Sequence, residues 1–230
     1  VPVHLRDPEG HWYGLSKRAR VIVVNKAEPP AELREYEDLV DSRLEDRICM
    51  RSSSNIYNLS LMASLIDAHG EQAAEEWAAG VVANFQRNPQ GNDTSNLRAV
   101  AAGECGVTIA NTYYLGRMLG SDDPTVRAVA DRLTAVFPNQ SGRGTHVNIS
   151  GAGITKHAPN AENALRVLEY LTGDFAQRLF AEGNNENPIV GQATGPIAAL
   201  GSFEEDKINA VLLGENQAAA VRVYDRAGWK

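Results

Sequence analysis

Asn111-Thr-Tyr-Tyr114 sets two adjacent phenols directly after a β-rich run, Gly106–Asn111, and at the start of a helical one, Thr112–Met118. In open α/β sheets, ligands collect beyond the carboxyl ends of strands, where helix N-termini converge. Neighbouring helical residues diverge by about 100°, so both phenols reach one object only from the first turn. The competing reading packs one Tyr in the core and lets the other cover surface. Arg51-Ser-Ser-Ser-Asn-Ile-Tyr57-Asn58 repeats the arrangement, because Arg47–Arg51 reads as a strand and Ser52–Asn55 offers helix caps. Two strand-to-helix junctions that each present tyrosine suggest a phenol cluster. Phenolate is a hard, anionic oxygen donor suited to hard cations. Its pKa near 10 must fall on binding, and a trivalent cation with helix N-termini would lower it.

Other chemistry-bearing residues form weaker patterns. The five His (4, 11, 69, 146 and 157) are scattered, and His146 in Gly-Thr-His-Val reads as a structural hydrogen-bonder. Asp122-Asp123 reads as an exposed turn, and Glu75-Glu76 and Glu204-Glu205 as solvated acids. No Gly-x-Ser-x-Gly elbow or HExxH is present, and the Gly142–Gly153 run lacks phosphate-loop order, so an enzyme has no nucleophile–base pair. The two cysteines, Cys49 and Cys105, lie outside any CxxC or zinc spacing. They are either buried thiols, which the residues alone slightly favour, or one disulfide.

The elements that must position these residues alternate. Arg20–Asn25 reads as a buried strand, and helices are expected up to His69, over Glu71–Gln86 and from Asp93 as cap to Gly103. Leu133–Phe137 reads as a strand, and Ala161–Leu171, Asp174–Glu182 and Glu215–Ala227 as helices. That alternation predicts an α/β fold with a largely parallel sheet. The 230 residues, at roughly 150 per domain, amount to one and a half domains. With 43% hydrophobic and 22% charged residues, a disordered or fibrous chain is excluded. No apolar run reaches a membrane span, and a net charge of −7 repels phosphate backbones, so neither membrane insertion nor nucleic acid is expected. Residue 1 is Val with no leader pattern behind it, which suggests a processed start or the interior of a longer product.

Six runs carry a resemblance. Trp12-Tyr-Gly-Leu-Ser-Lys-Arg-Ala-Arg-Val21, Cys49-Met-Arg-Ser-Ser-Ser-Asn-Ile-Tyr-Asn58, Arg87-Asn-Pro-Gln-Gly91, Asn111-Thr-Tyr-Tyr114, Gly144-Thr-His-Val-Asn-Ile-Ser-Gly151 and Asp225-Arg-Ala-Gly-Trp229 occur in that order. Together they resemble the periplasmic ferric-ion-binding proteins of bacterial ABC importers, in their three-tyrosine branch.

The resemblance implies an α/β fold of the type II periplasmic binding protein kind, two lobes closing around a cleft, and no enzyme activity. It implies Fe(III) held by Tyr57, Tyr113 and Tyr114, with a synergistic anion such as carbonate at Arg18 and near Ser53. On the residues alone, Arg18 also reads as part of a solvated basic cluster with Lys17 and Arg20. The family's paired cysteines fall at Cys49 and Cys105, implying a disulfide. The implied partner is an ABC importer permease, and the implied location the periplasm or the outer face of the cytoplasmic membrane, for a monomer. Glu186-Asn187-Pro188 departs from the Tyr-Pro common in the family's final cleft segment. Relative to the family pattern, roughly 80–90 leading residues are missing, about half a domain, so the first lobe is expected to be incomplete. Residues 1–19 would then be a remnant of lobe 1 and hinge, 20–143 the tyrosine-bearing lobe 2, 144–191 a return to lobe 1, and 192–230 a return to lobe 2. The rival readings are a small anion (phosphate, sulfate or carboxylate) bound without metal, and a lobe fragment unable to hold iron.

Overall fold

A computed structural model describes residues 1–230. Its spine is β1, Tyr13–Asn25, a 13-residue strand that extends the expected Arg20–Asn25 run seven residues towards the N-terminus. The apolar run within it has a two-sided explanation. Successive strand residues point to opposite faces, so Ile22 and Val24 enter one core while Val21 and Val23 enter another. Both faces are covered, which is why four β-branched residues follow one another without alternation.

After a loop with short 3-10 turns come α1 (Ile56–His69), α2 (Glu71–Ala83) and α3 (Asp93–Ala102). Asn55 caps α1 by accepting from the Tyr57 amide, and Gly70, at φ 83°, ends it. That positive φ is a conformation glycine adopts without steric cost. Asn92 rather than Asp93 caps α3, accepting from Ser95 N–H. Asp93 is thereby freed for another task. The chain continues through β2 (Val107–Asn111), α4 (Thr112–Leu119), α5 (Pro124–Ala130), β3 (Leu133–Val136) and β4 (Val147–Ala152). Next come α6 (Ala161–Leu171), α7 (Asp174–Asn184), the two-residue β5 (Asn187–Pro188), α8 (Ala210–Glu215) and α9 (Gln217–Ala227). The expected terminal helix Glu215–Ala227 is α9, which begins two residues later, and a further helix, α8, precedes it.

The sheet is antiparallel where a largely parallel one was expected. The first half of β1 pairs with β4, from Tyr13 opposite Ala152 to Ala19 opposite Val147, and with β5 at Ser16 and Lys17. Its second half pairs with β2 at Arg20–Val24 and with β3 at Ile22–Asn25. All four pairings are antiparallel, and parallel contacts survive only as isolated bridges, such as Ile48 with Phe85 and with Val107. The physical reason lies in β1. Strand–helix alternation does make β2 and β3 run the same way, but they flank a central strand that runs opposite to both.

Arg47–Arg51 is also less of a strand than expected. Cys49 N–H donates to Val107 O at 3.0 Å, but Arg51 O accepts side-chain donors from Asn58 and Trp229 at 3.2 and 3.1 Å. With both lone pairs of the Arg51 carbonyl taken by side chains, no ladder extends through it. Cys49 and Cys105 form a disulfide, with 5.9 Å between Cα atoms. The bond ties the segment leading to Tyr57 to the strand leading to Tyr113. Trp77, Phe85, Tyr224 and Trp229 close the core beneath α1, α2 and α9.

Candidate metal centre

Tyr57 is the second residue of α1, while Tyr113 and Tyr114 are the second and third of α4, so all three phenols stand in first turns. The three converge. Tyr57 Oη lies 3.3 Å from Tyr113 Oη, and the Tyr113 and Tyr114 rings stack with centroids 4.1 Å apart at 30°. Tyr113 lies in the core, as one half of the core-and-surface alternative has it, while Tyr114 packs partly buried against that core, and the pair stands beside Tyr57. Tyr113 is buried, and its hydroxyl is pushed well above its ordinary pKa of 10, first by burial and then by hydrogen bonding to Tyr114 and Tyr57. Tyr113 therefore holds its proton at neutral pH.

Cations stand against the tyrosine rings. The Arg117 guanidinium stands 4.9 Å from the Tyr113 ring centroid, and those of Arg20 and Arg51 stand 5.9 and 5.7 Å from that of Tyr57. Arg51 is half-buried. Burial pulls its pKa down, yet Asp93 and the Tyr114 phenol more than offset this and raise it above the ordinary value. The solvated-cluster reading of the basic run does not hold. Arg20 is only 1% exposed, Lys17 pairs with Glu205 at 2.6 Å, and Arg18 Nη2 pairs with Glu186 at 3.0 Å.

Arg18 sits at the β1–β4–β5 end of the sheet, where Glu186 and Ser150 take Nε and Nη2. Ser16 binds the other carboxylate oxygen of Glu186. Ser53 lies half-buried in the turn before α1. Neither Arg18 nor Ser53 makes a hydrogen bond to a tyrosine. The return segment does approach the cluster, since Asn187 Nδ2 lies 3.4 Å from Thr112 Oγ1, one residue before Tyr113.

Sequence reasoning missed the layer beneath the phenols: Arg20, Arg51, Asn58 and Asp93. A usable signal was present, because Arg20 opens a strand whose next four residues are apolar. A cation in such a position is buried and needs a buried partner.

His146 is wholly buried, with Nε2 2.8 Å from Ser60 Oγ. Burial, then the positive fields of Arg20 and Arg143, lower its pKa to about 3. The unfolded chain would protonate this ring near pH 6.5, so the folded state loses stability as pH falls from there towards 3. The slope for one group is roughly 1.4 kcal/mol per pH unit. Urea midpoints are expected to fall more steeply over this range in the parent than in His146→Gln. Equal slopes would refute the assignment.

Residues 2–201 match the family model described as bacterial extracellular solute-binding protein. The chain is 47% identical over 233 residues to Iron uptake protein A1 of Synechocystis sp., covering 100% of itself and 65% of that relative. It therefore spans slightly less than two thirds of that relative's length. Among solved structures, it superposes on Trichodesmium IdiA/FutA in complex with iron and citrate with a TM-score of 0.97, at 51% identity, covering all of this chain and 74% of that one. A ferric binding protein from Campylobacter jejuni matches with a TM-score of 0.90 at 36% identity, again over all of this chain and 74% of that one. No helix is long and apolar enough to cross a membrane. With residues 2–201 matched by its model and the fold superposing over the full length of the chain, the chain belongs to the bacterial extracellular solute-binding protein family, a family of binding proteins and not of enzymes.

Proposed function

We propose that this chain captures Fe(III) through the phenolates of Tyr57, Tyr113 and Tyr114, as part of a bacterial iron importer. The convergence of three phenols from two helix N-termini carries the reading. Three phenolates neutralise a trivalent ion, and oxygen donors suit its hardness. Relatives described as iron uptake and ferric iron-binding proteins support the choice of metal.

A small anion such as carbonate or citrate completes the coordination. We assign it to Arg18, whose Nη1 is the guanidinium nitrogen that Glu186 and Ser150 leave free, and to the turn at Ser53. Residues 20–143 with the C-terminal helix form the lobe that carries the tyrosines, and residues 1–19 and 144–191 belong to its partner lobe. The division falls within β1, between the half paired with β4 and the half paired with β2. The loaded protein acts in the periplasm and passes its iron to an ABC importer permease.

Loading the chain with ferric citrate, removing the excess and counting iron per chain tests the reading. The expected result is one iron per chain and a visible phenolate-to-iron charge-transfer band. A colourless or iron-free product refutes it. Proton competition adds a second expectation. Metal and protons compete for phenolate oxygens, so iron affinity should rise with pH, on the order of tenfold per pH unit for each proton displaced, measured by citrate competition between pH 6 and 8. A flat pH profile would exclude phenolate ligation.

A further inference from the structure

Asp93 lies at the start of α3 with its carboxylate withdrawn from solvent, and its oxygens reach three different elements. Oδ2 accepts from Arg20 Nη1 on β1 at 2.5 Å and from the backbone N–H of Asn111 at 3.0 Å. Oδ1 accepts from Arg51 Nη1, on the segment entering α1, at 3.0 Å. The loop closes through Asn58, which accepts from Arg20 Nη2 at 2.7 Å and donates to the carbonyls of Arg51 and Ser52 at 3.2 and 3.0 Å.

Each contact of this carboxylate is one step from a phenol. Arg20 and Arg51 both stand against the ring of Tyr57. Asn111 is the N-cap of α4, two residues before Tyr113. A buried carboxylate with two guanidinium groups is a poor device for stability alone, because apolar residues of similar volume often serve as well or better. What an apolar cluster cannot supply is direction. Hydrogen bonds at fixed angles hold β1, the α1 entry and the β2–α4 junction in one mutual arrangement.

We propose that Asp93 is the positioning residue that sets the distance and orientation of Tyr57 relative to the Tyr113–Tyr114 pair. It acts through Arg20 and Arg51 on one side and the Asn111 amide on the other. The inference rests on the phenolate reading above and deepens it. Its oxygens are taken by Arg20, Arg51 and the Asn111 amide, so Asp93 is no ligand in this proposal. It determines whether the three oxygens can meet one ion.

The test compares the parent, Asp93→Asn, Arg51→Gln and a control, Ile22→Val, a buried core position whose apolar side chain makes no hydrogen bond to the carboxylate. Iron-loaded proteins are read by the wavelength of the charge-transfer band and by citrate competition, and metal-free proteins by thermal melting. Loss of an outer-shell partner commonly costs about 10–100-fold in metal affinity. Asp93→Asn and Arg51→Gln are therefore expected to bind Fe(III) at least about tenfold more weakly, with a displaced band. Ile22→Val should lower the melting temperature and leave the band in place. Should Asp93→Asn fail to fold, Arg51→Gln decides, since it removes one arm and keeps the Arg20–Asp93 pair. Variants that match the parent's band and affinity overturn the inference alone. A parent that takes up no iron overturns the functional reading, and the inference with it.

Discussion

Replacing Tyr113 and Tyr114 together by Phe should abolish the visible band and weaken Fe(III) binding by more than about a thousandfold. Outer-shell losses alone cost about 10–100-fold, and this change removes two proposed direct ligands. Phe keeps the ring, so the 4.1 Å stacking and the packing of the first turn of α4 remain. The change to the fold itself is small. The hydroxyl contacts among Tyr57, Tyr113 and Tyr114 and from Tyr114 to Arg51 disappear, each worth about 1 kcal/mol. Iron binding and thermal stability should therefore separate: citrate competition reports a near-complete loss, while metal-free melting moves by a few degrees. Full iron stoichiometry in the double variant would show that the phenols are not the ligands.

Removing the disulfide should have the largest effect on stability. Cys49 and Cys105 are 56 residues apart in sequence, and both are buried. In the chain-entropy description, opening a loop of that length destabilises the folded state by about 4 kcal/mol. Set against a typical total of about 5–15 kcal/mol, this is a large share. Cys49→Ala/Cys105→Ala is expected to unfold at a markedly lower urea concentration than the parent, with its helices intact in buffer. A midpoint indistinguishable from the parent's would show that neighbouring contacts already restrain the two segments. The Cys49 N–H bond to Val107 O is one such contact.

Local structure was legible wherever a residue acts on its own neighbourhood. Gly70 ends α1, Gly103 ends α3, and α6 occupies the expected residues 161–171. Strand direction was not legible, because alternation orders the elements without saying which strand lies at the centre or which way it runs. The cap of α3 was misplaced by one residue for a related reason. Asp93 and Asn92 are both good caps by type, and Asp93 is drawn inward by Arg20 and Arg51, partners 73 and 42 residues away in sequence.

The same division holds for the candidate site. Phenols at two helix starts, a pair of cysteines and an acidic surface follow from residue type and short spacing, so the sequence by itself determined what chemistry the chain could offer. Whether Tyr57 meets Tyr113 depends on a 13-residue strand shared by two halves of a sheet, a disulfide and a buried carboxylate. Those are contacts between residues far apart in the chain. Tertiary structure alone decided them, because hydrogen-bond direction and core packing act in space and leave no period in the sequence.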